Sequence, residues 1–357
     1  VRIAILHPFT WADVRRGAER YAHDLSWWLA AQGHDVDYVA GGPQRSELSQ
    51  DGVRIVRLHH RHGDRLTGWG WSKPDTFGAT VLPWLARNRY DVVHAMVPSA
   101  AIAARLARQR TVFTAIGHPV DAAAEGRARR LLVLAARAAH VATVLSRSAA
   151  SGFADITGRT PLVVSPGVRT DVFTAELAAR TGAPRLLFAA PAAAPRKRLA
   201  DLLAAMPAVL DALPDARLRL GGGGEIAHDV PRRVAEAVDS IGTGELEDVP
   251  KRYRDATTTV LPSEHEAFGL VLVESLASGT PVVAAASGGI AEIVDPGAGV
   301  GALTPVGDIG ALAAAIVETV RLAADPETPA RCAAHAQRWS WDSVGPAHLA
   351  AYEAALR

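Results

Sequence analysis

Apolar positions along this chain fall into short runs separated by longer amphipathic or alanine-rich stretches. The short runs predict strands at 1–7, 35–40, 53–58, 91–95, 111–115, 140–145 and 161–164. The stretches between several of them predict helices at 17–32, 79–88, 98–108 and 126–138. Gly33-His34 reads as a helix stop followed by a new strand. A second series follows the turn Ser165-Pro166-Gly167. It predicts strands at 185–189, 216–220, 257–261, 281–285 and 299–302, with helices at 199–211, 230–240, 269–278 and 308–323. Alternation of this kind predicts a doubly wound, parallel α/β sheet in each half. A length of 357 residues agrees, since one core rarely grows past roughly 250–300 residues. Ligands of such sheets sit at the carboxyl ends of the strands, so two facing domains would place a site in the cleft between them. Residues 59–75 break the alternation and read as a long basic and aromatic loop, with His59, His60, Arg61, His62, Trp69 and Trp71.

Composition changes this picture little. Apolar residues make up 49% and charged residues 21%, a balance suited to two buried cores. Cys332 is the single cysteine, which excludes an intramolecular disulfide and permits a reducing compartment. The opening Val1-Arg2-Ile3-Ala4-Ile5-Leu6 reads as a strand rather than a signal peptide. No apolar run approaches the ~18–20 residues of a membrane span. A cytoplasmic protein is the expectation, with no nucleic-acid partner. The net charge of +1 conceals an asymmetry. Residues 1–170 hold 22 Lys and Arg against 13 Asp and Glu, and the remainder holds 16 against 24. The two halves are expected to meet different ligands, one of them anionic, unless the asymmetry is only drift of surface charge.

The segment richest in chemistry is Leu261-Pro262-Ser263-Glu264-His265-Glu266-Ala267-Phe268-Gly269, followed by Leu270-Val271-Leu272-Val273-Glu274-Ser275-Leu276. A strand ends, a loop carries Glu266, and a helix apolar almost all round begins. Such a helix must be buried, yet Glu274 lies within it. A buried carboxylate needs partners. A ribose diol would offer two hydroxyl donors; an arginine, or escape to the helix edge, would serve as well. The helix start favours bound phosphate through its free N–H groups and dipole. Downstream, the strand Thr280-Pro281-Val282-Val283-Ala284 leads to Ser287-Gly288-Gly289, where a ligand could approach backbone closely.

The run Glu266-x-Phe-Gly-x4-Glu274, then Gly279-Thr280-Pro281-Val282-Val283 and Gly288-Gly289-Ile290-Ala291-Glu292, resembles the signature of the large retaining GT-B glycosyltransferase family, family four or group 1. Further matches follow in chain order. They are Gly17-Ala18-Glu19-Arg20, Asp91-Val92-Val93-His94, Pro166-Gly167-Val168 with Asp171 and Phe173, Leu220-Gly221-Gly222-Gly223, and Trp339-Ser340-Trp341. The resemblance implies a GT-B fold of two Rossmann-like, doubly wound parallel-sheet domains with an interdomain cleft. Residues 1–167 would form the acceptor domain and 168–337 the nucleotide-sugar domain. A helix at 338–357 would cross back to the first.

It implies roles residue by residue. Glu274 would bind the ribose, and Glu266 with the backbone of Ala267, Phe268 and Gly269 the donor sugar. Lys197 would stabilise the departing diphosphate. Gly17 would admit the donor phosphate. His118 would stand near the reacting sugar, in competition with His94, His7 and the 59–62 cluster. Arg16, His94, Trp69 and Trp71 would face the acceptor. The chain departs from the pattern in three places. Ala190-Pro191-Ala192 replaces the stretch that carries a second phosphate cation, a role open to Arg196 or Arg198. Arg16 stands in place of a glycine. The 224–253 segment that would hold the base is short, with Ile241-Gly242-Thr243-Gly244 as its expected loop, which places Thr243 and Gly244 at the donor. Transfer from a UDP- or GDP-type sugar with retention, without metal or cofactor, is implied, the leaving diphosphate accepting the acceptor proton. No Asp-x-Asp or Cys/His ligand set is expected to hold a metal. The acceptor would be a small molecule or a glycan.

A lipid acceptor at a membrane surface is an alternative, since the helix with Arg127, Arg129, Arg130, Leu131, Leu132, Leu134 and Arg137 is basic and amphipathic. An epimerase or a phosphorylase on the same fold is another. A nicotinamide dehydrogenase is disfavoured, because Gly221-Gly222-Gly223-Gly224 lacks the G-x-G-x-x-G frame and its acidic partner.

Overall fold

The computed structural model describes residues 1–60, 71–119, 126–177, 182–223, 231–244 and 248–357. The chain divides into two compact units, Val1–Gly167 with Trp341–Arg357, and Val168–Ser340. Residues 338–340, expected with the last helix, stay with the second unit.

In the first unit the elements are β1 (Arg2–Leu6), α1 (Gly17–Ala31), β2 (Asp35–Gly42), β3 (Ser46–Gln50), β4 (Val53–His59), α2 (Lys73–Arg87), β5 (Val92–Ala95), α3 (Pro98–Leu106), β6 (Thr111–Ala115), α4 (Gly126–Ala138), β7 (Val141–Val144), α5 (Arg147–Thr157) and β8 (Leu162–Val163). The sheet order is β3-β4-β2-β1-β5-β6-β7-β8. Every pair is parallel except β3 with β4. Strands covered on both faces are apolar throughout, as Ile3, Ala4, Ile5 and Leu6 are here. The core on one face gathers Leu6, Val39, Phe77, Val93, Phe113 and Phe153.

Two expectations change. The supposed loop 59–75 is bounded by structure on both sides. β4 runs to His59, and α2 starts at Lys73 rather than at residue 79, behind a capping box in which Ser72 and Asp75 satisfy each other's backbone. Residues 61–70, Trp69 among them, lie outside the described residues. Strand β3 was not expected, because Ser46-Glu47-Leu48-Ser49-Gln50 is exposed at every position and shows no apolar face to read.

Helix Trp341–Leu356 packs onto the first unit through aromatic rings. Trp341 stacks at 5.9 Å on Trp28 and at 6.4 Å on Tyr21. A Cβ on Gly345 would stand 2.1 Å from the Trp28 ring, so only glycine permits this approach. Two buried histidines hold the same seam. His94 bonds Tyr352 Oη at 2.8 Å and Thr114 Oγ1 at 2.6 Å, and His348 bonds Tyr21 Oη at 3.0 Å. Burial pushes His94 down to about 3, with help from nearby His348, and His348 down to about 4. Both stay neutral when folded but take up protons when unfolded below about pH 6.5. Stability is therefore fully present above that value and falls with acid, by on the order of 2–4 kcal/mol between pH 6.5 and 5 for the pair. Urea unfolding across this range should show the slope, and His94→Gln should roughly halve it; a flat profile would contradict the assignment.

The second unit comprises β9 (Arg185–Phe188), a 3-10 turn Pro195–Lys197, α6 (Leu199–Ala212), β10 (Arg217–Leu220), α7 (Arg232–Ala235), β11 (Val238–Ser240), α8 (Val249–Arg254), β12 (Thr258–Leu261), α9 (Leu270–Ala277), β13 (Val282–Ala285), α10 (Ile290–Ile293), β14 (Gly301–Thr304), α11 (Ile309–Ala323) and α12 (Thr328–Ala336). Its sheet is parallel, in the order β11-β10-β9-β12-β13-β14. The helix expected over 230–240 is a short helix and an edge strand, because Val238 pairs with Leu218. The last strand lies at 301–304 rather than 299–302. Gly299, at φ 63°, first closes a 3-10 turn over Pro296–Ala298.

Candidate active site

The strand order of the second unit fixes where a ligand can bind. From β9 the chain winds one way through β10 and β11, then returns to β12 and winds the other way. The switch point lies between β9 and β12, and the loops leaving their carboxyl ends diverge to open a crevice. Lys197 follows β9 and Glu266 follows β12.

These two side chains meet. Lys197 Nζ donates to Glu266 Oε2 at 2.5 Å, and Arg196 Nη1 approaches the same oxygen at 3.4 Å. Both Lys197 and Glu266 keep only 12% side-chain exposure. Burial lowers the Lys197 ammonium, and Arg196 adds to that, while Glu266 opposes it. The loop is also tied through its backbone, with Glu264 N donating to Arg196 O at 2.9 Å. Arg198 does not join this group. Its guanidinium bonds Asp201 at 2.6 Å and Glu264 at 3.1 Å, which raises its pKa, Asp201 contributing most.

Gly288 and Gly289 pack against the backbone of the Glu266 loop. Gly289 N donates to Glu266 O at 2.8 Å, and a Cβ on Gly288 would lie 2.0 Å from that oxygen. The pair holds the Glu266 loop in place. Ala267 and Phe268 are buried, Phe268 edge-on to Trp339 at 6.5 Å, and Gly269 caps α9 at φ 107°.

Glu274 is buried within α9, as its apolar neighbours predict, and its partner is one the sequence did not suggest. The Tyr253 hydroxyl on α8 donates to Glu274 Oε2 at 2.8 Å. Tyr253 sits among Lys251, Arg252 and Arg254, where nothing marks it for burial. Arg252 was missed as well. It donates to Gly242 O at 2.6 Å and Ile241 O at 3.0 Å, and so shapes the loop with Thr243 and Gly244. Thr243 Cγ2 lies 3.3 Å from the position of a Cβ on Gly223, so this loop packs beside the glycines after β10.

In the first unit the switch point lies between β1 and β5. Gly17 opens α1 there, and a Cβ on it would meet nothing within 4 Å. Arg16 precedes it, 2.7 Å from the buried Glu19 carboxylate and with its guanidinium 5.5 Å from the Phe9 ring. His7 Nδ1 lies 2.9 Å from Phe9 O, and burial lowers its pKa against the opposing charge of Glu19. His118 is buried three residues beyond β6. Trp71 lies under Arg127 at 4.7 Å. The ring nitrogens of His94 make the buried bonds to Tyr352 and Thr114 described above.

Among the described residues no group of three or more His, Cys, Asp or Glu could hold a metal ion. Among the same residues, no helix is long and apolar enough to cross a membrane.

Comparison with known families decides the class of the protein. The model of the glycosyl transferase 4-like domain matches residues 16–167, and that of glycosyl transferases group 1 matches 183–321. The chain belongs to the group 1 glycosyl transferases. It is an enzyme of GT-B type that acts on nucleotide sugars. It is 28% identical to a phosphatidyl-myo-inositol mannosyltransferase of Mycolicibacterium smegmatis, over 99% of this chain and 94% of that one. Among solved structures it resembles sucrose-phosphate synthase from Thermosynechococcus elongatus, with a TM-score of 0.80, 22% identity and 98% of each chain covered. It also resembles HepE of Anabaena in complex with UDP and glucose, with a TM-score of 0.74, 20% identity and 99% of each chain covered.

Proposed function

We propose that this group 1 glycosyl transferase moves a sugar from a nucleoside-diphosphate sugar to an acceptor hydroxyl with retention of configuration and without a metal. The observation that carries the reading is the convergence of Lys197 and Arg196 on Glu266 at the β9/β12 switch point. Two cations beside one carboxylate suit a ligand that has an anionic diphosphate at one end and sugar hydroxyls at the other.

The second unit is the donor unit in this reading. Glu274, steadied by Tyr253, takes the ribose hydroxyls, and the Thr243–Gly244 loop lies at the base. Glu266 and the backbone of Ala267, Phe268 and Gly269 hold the sugar, while Lys197 and Arg196 stabilise charge on the departing diphosphate. UDP- or GDP-sugars are the donor class, and UDP in the HepE complex supports the first. The bond from the anomeric carbon to the diphosphate oxygen breaks, and the acceptor oxygen bonds to the same face. The acceptor proton passes to the leaving diphosphate. The first unit is the acceptor unit, with Arg16 and Trp71 toward the acceptor, His118 near the reacting sugar and Gly17 admitting the donor phosphate. The acceptor is a small molecule or a glycan.

Proton NMR of the product made from an α-linked donor is expected to show an α linkage; a β linkage would overturn retention. A lipid acceptor is a second reading, favoured by α4. Leu132, Ala135 and Ala136 face the core, while Leu134 stays 52% exposed among arginines. The relative named for phosphatidyl-myo-inositol agrees with it. Flotation with anionic liposomes, reversed by salt, would favour the lipid, and absence of binding would remove it.

A further inference from the structure

A cavity lies in the first unit, on the outer margin of its sheet between the β3–β4 edge and helix α2. Its volume is about 680 Å³, within the range of small-molecule sites. We propose that it binds a phosphorylated saccharide, separately from the transfer reaction.

The cavity is lined by one indole and three guanidinium groups. Trp84 is its aromatic wall, and Arg45, Arg54 and Arg87 surround it, with Glu47 as the opposing charge. The arginine carbons of Arg45 and Arg54 stand 5.5 and 5.7 Å from the Trp84 ring centroid. Exposed arginine–glutamate pairs add little to stability, so folding alone does not account for this grouping. An aromatic face suits the C–H surface of a sugar ring, and guanidinium forks suit phosphate oxygens.

The wall is built to stay in place. Trp84 Nε1 donates to Tyr90 Oη at 3.0 Å, and Tyr90 donates to Asp37 Oδ2 at 2.6 Å. Asp37 is buried and also accepts Arg54 Nε at 2.8 Å. The chain of bonds fixes the indole and one guanidinium before any ligand arrives. Arg54 is largely neutralised by Asp37. Arg45 and Arg87 are therefore the residues that contact phosphate; among the described residues, Arg87 donates to Pro83 O at 2.9 Å and Arg45 to Glu47 at 2.9 Å. Thr80 also lines the cavity.

The test is calorimetric titration of the full chain with glucose 6-phosphate, glucose and inorganic phosphate, in the wild type, Arg45→Ala/Arg87→Ala and Trp84→Leu. Glucose 6-phosphate should bind saturably and at least tenfold tighter than glucose or phosphate alone. Each variant should weaken it at least tenfold, and excess UDP should leave it unchanged. Arg45 and Arg87 are exposed, so the double variant keeps its fold if Trp84→Leu does not. Phosphate binding as tightly as glucose 6-phosphate would reduce the cavity to an anion site and overturn the saccharide. Absence of saturable binding, equal affinity in the double variant, or displacement by UDP would overturn the site itself.

Discussion

Glu266→Gln is expected to lower turnover by ~10²-fold or more while changing donor affinity far less. The side chain keeps its size and one acceptor oxygen, so the loop fixed by Gly288 and Gly289 need not move. What is lost is the charge opposite Lys197, whose ammonium lies 2.5 Å from Glu266 Oε2. Burial already lowers Lys197, and Glu266 is what opposes the shift. Without it the lysine pKa falls further and the cation is lost at lower pH. Activity that needs a charged Lys197 persists at low pH and disappears as pH rises through the lysine pKa. In the variant that alkaline limb should move to lower pH. A pH–rate profile of donor consumption in both proteins reads it, and an unmoved limb with normal turnover would remove Glu266 and Lys197 from the chemistry.

Glu274 should behave in the opposite manner. Glu274→Ala is expected to weaken binding of nucleoside diphosphate by ~2–3 kcal/mol, since hydrogen bonds to a charged acceptor carry about that much. It should also cost ~1–3 kcal/mol of stability, because the buried Tyr253 hydroxyl loses the oxygen it donates to at 2.8 Å. Glu274→Gln separates the two effects. It can still accept from Tyr253, so stability should largely return, while the charge that holds a diol is gone and affinity stays low. Urea unfolding and calorimetry on the same samples test this pair, and full recovery of affinity in Glu274→Gln would show that charge is not what the site uses.

Much of this architecture can be read from apolar spacing. The strands Arg2–Leu6 and Thr111–Ala115 and the helix Gly126–Ala138 lie within about a residue of where the pattern puts them, because buried parallel strands and amphipathic helices carry their burial in composition. The polar edge strand Ser46–Gln50 has no buried face and left no trace. The segment 230–240 looked helical, yet it contains an edge strand whose pairing with Arg217–Leu220 is a tertiary fact. At the site, Glu266 and Glu274 were visible through their unusual neighbours. Lys197 is 69 residues from Glu266, and only the pairing of β9 with β12 brings them together. Tyr253 and Arg252 had no distinguishing spacing at all. The partners of His94, Tyr352 and Thr114, come from elements far away in sequence and leave no mark around it.

In the proposed function the second unit carries a nucleoside-diphosphate site at its β9/β12 switch point. Calorimetric titration of the full chain with UDP, GDP, dTDP and ADP, repeated on Glu274→Gln, tests it most directly. Saturable binding of at least one nucleotide, weakened at least tenfold in the variant, is the predicted result and would name the donor class. Binding of none of the four, or equal binding by both proteins, would contradict it.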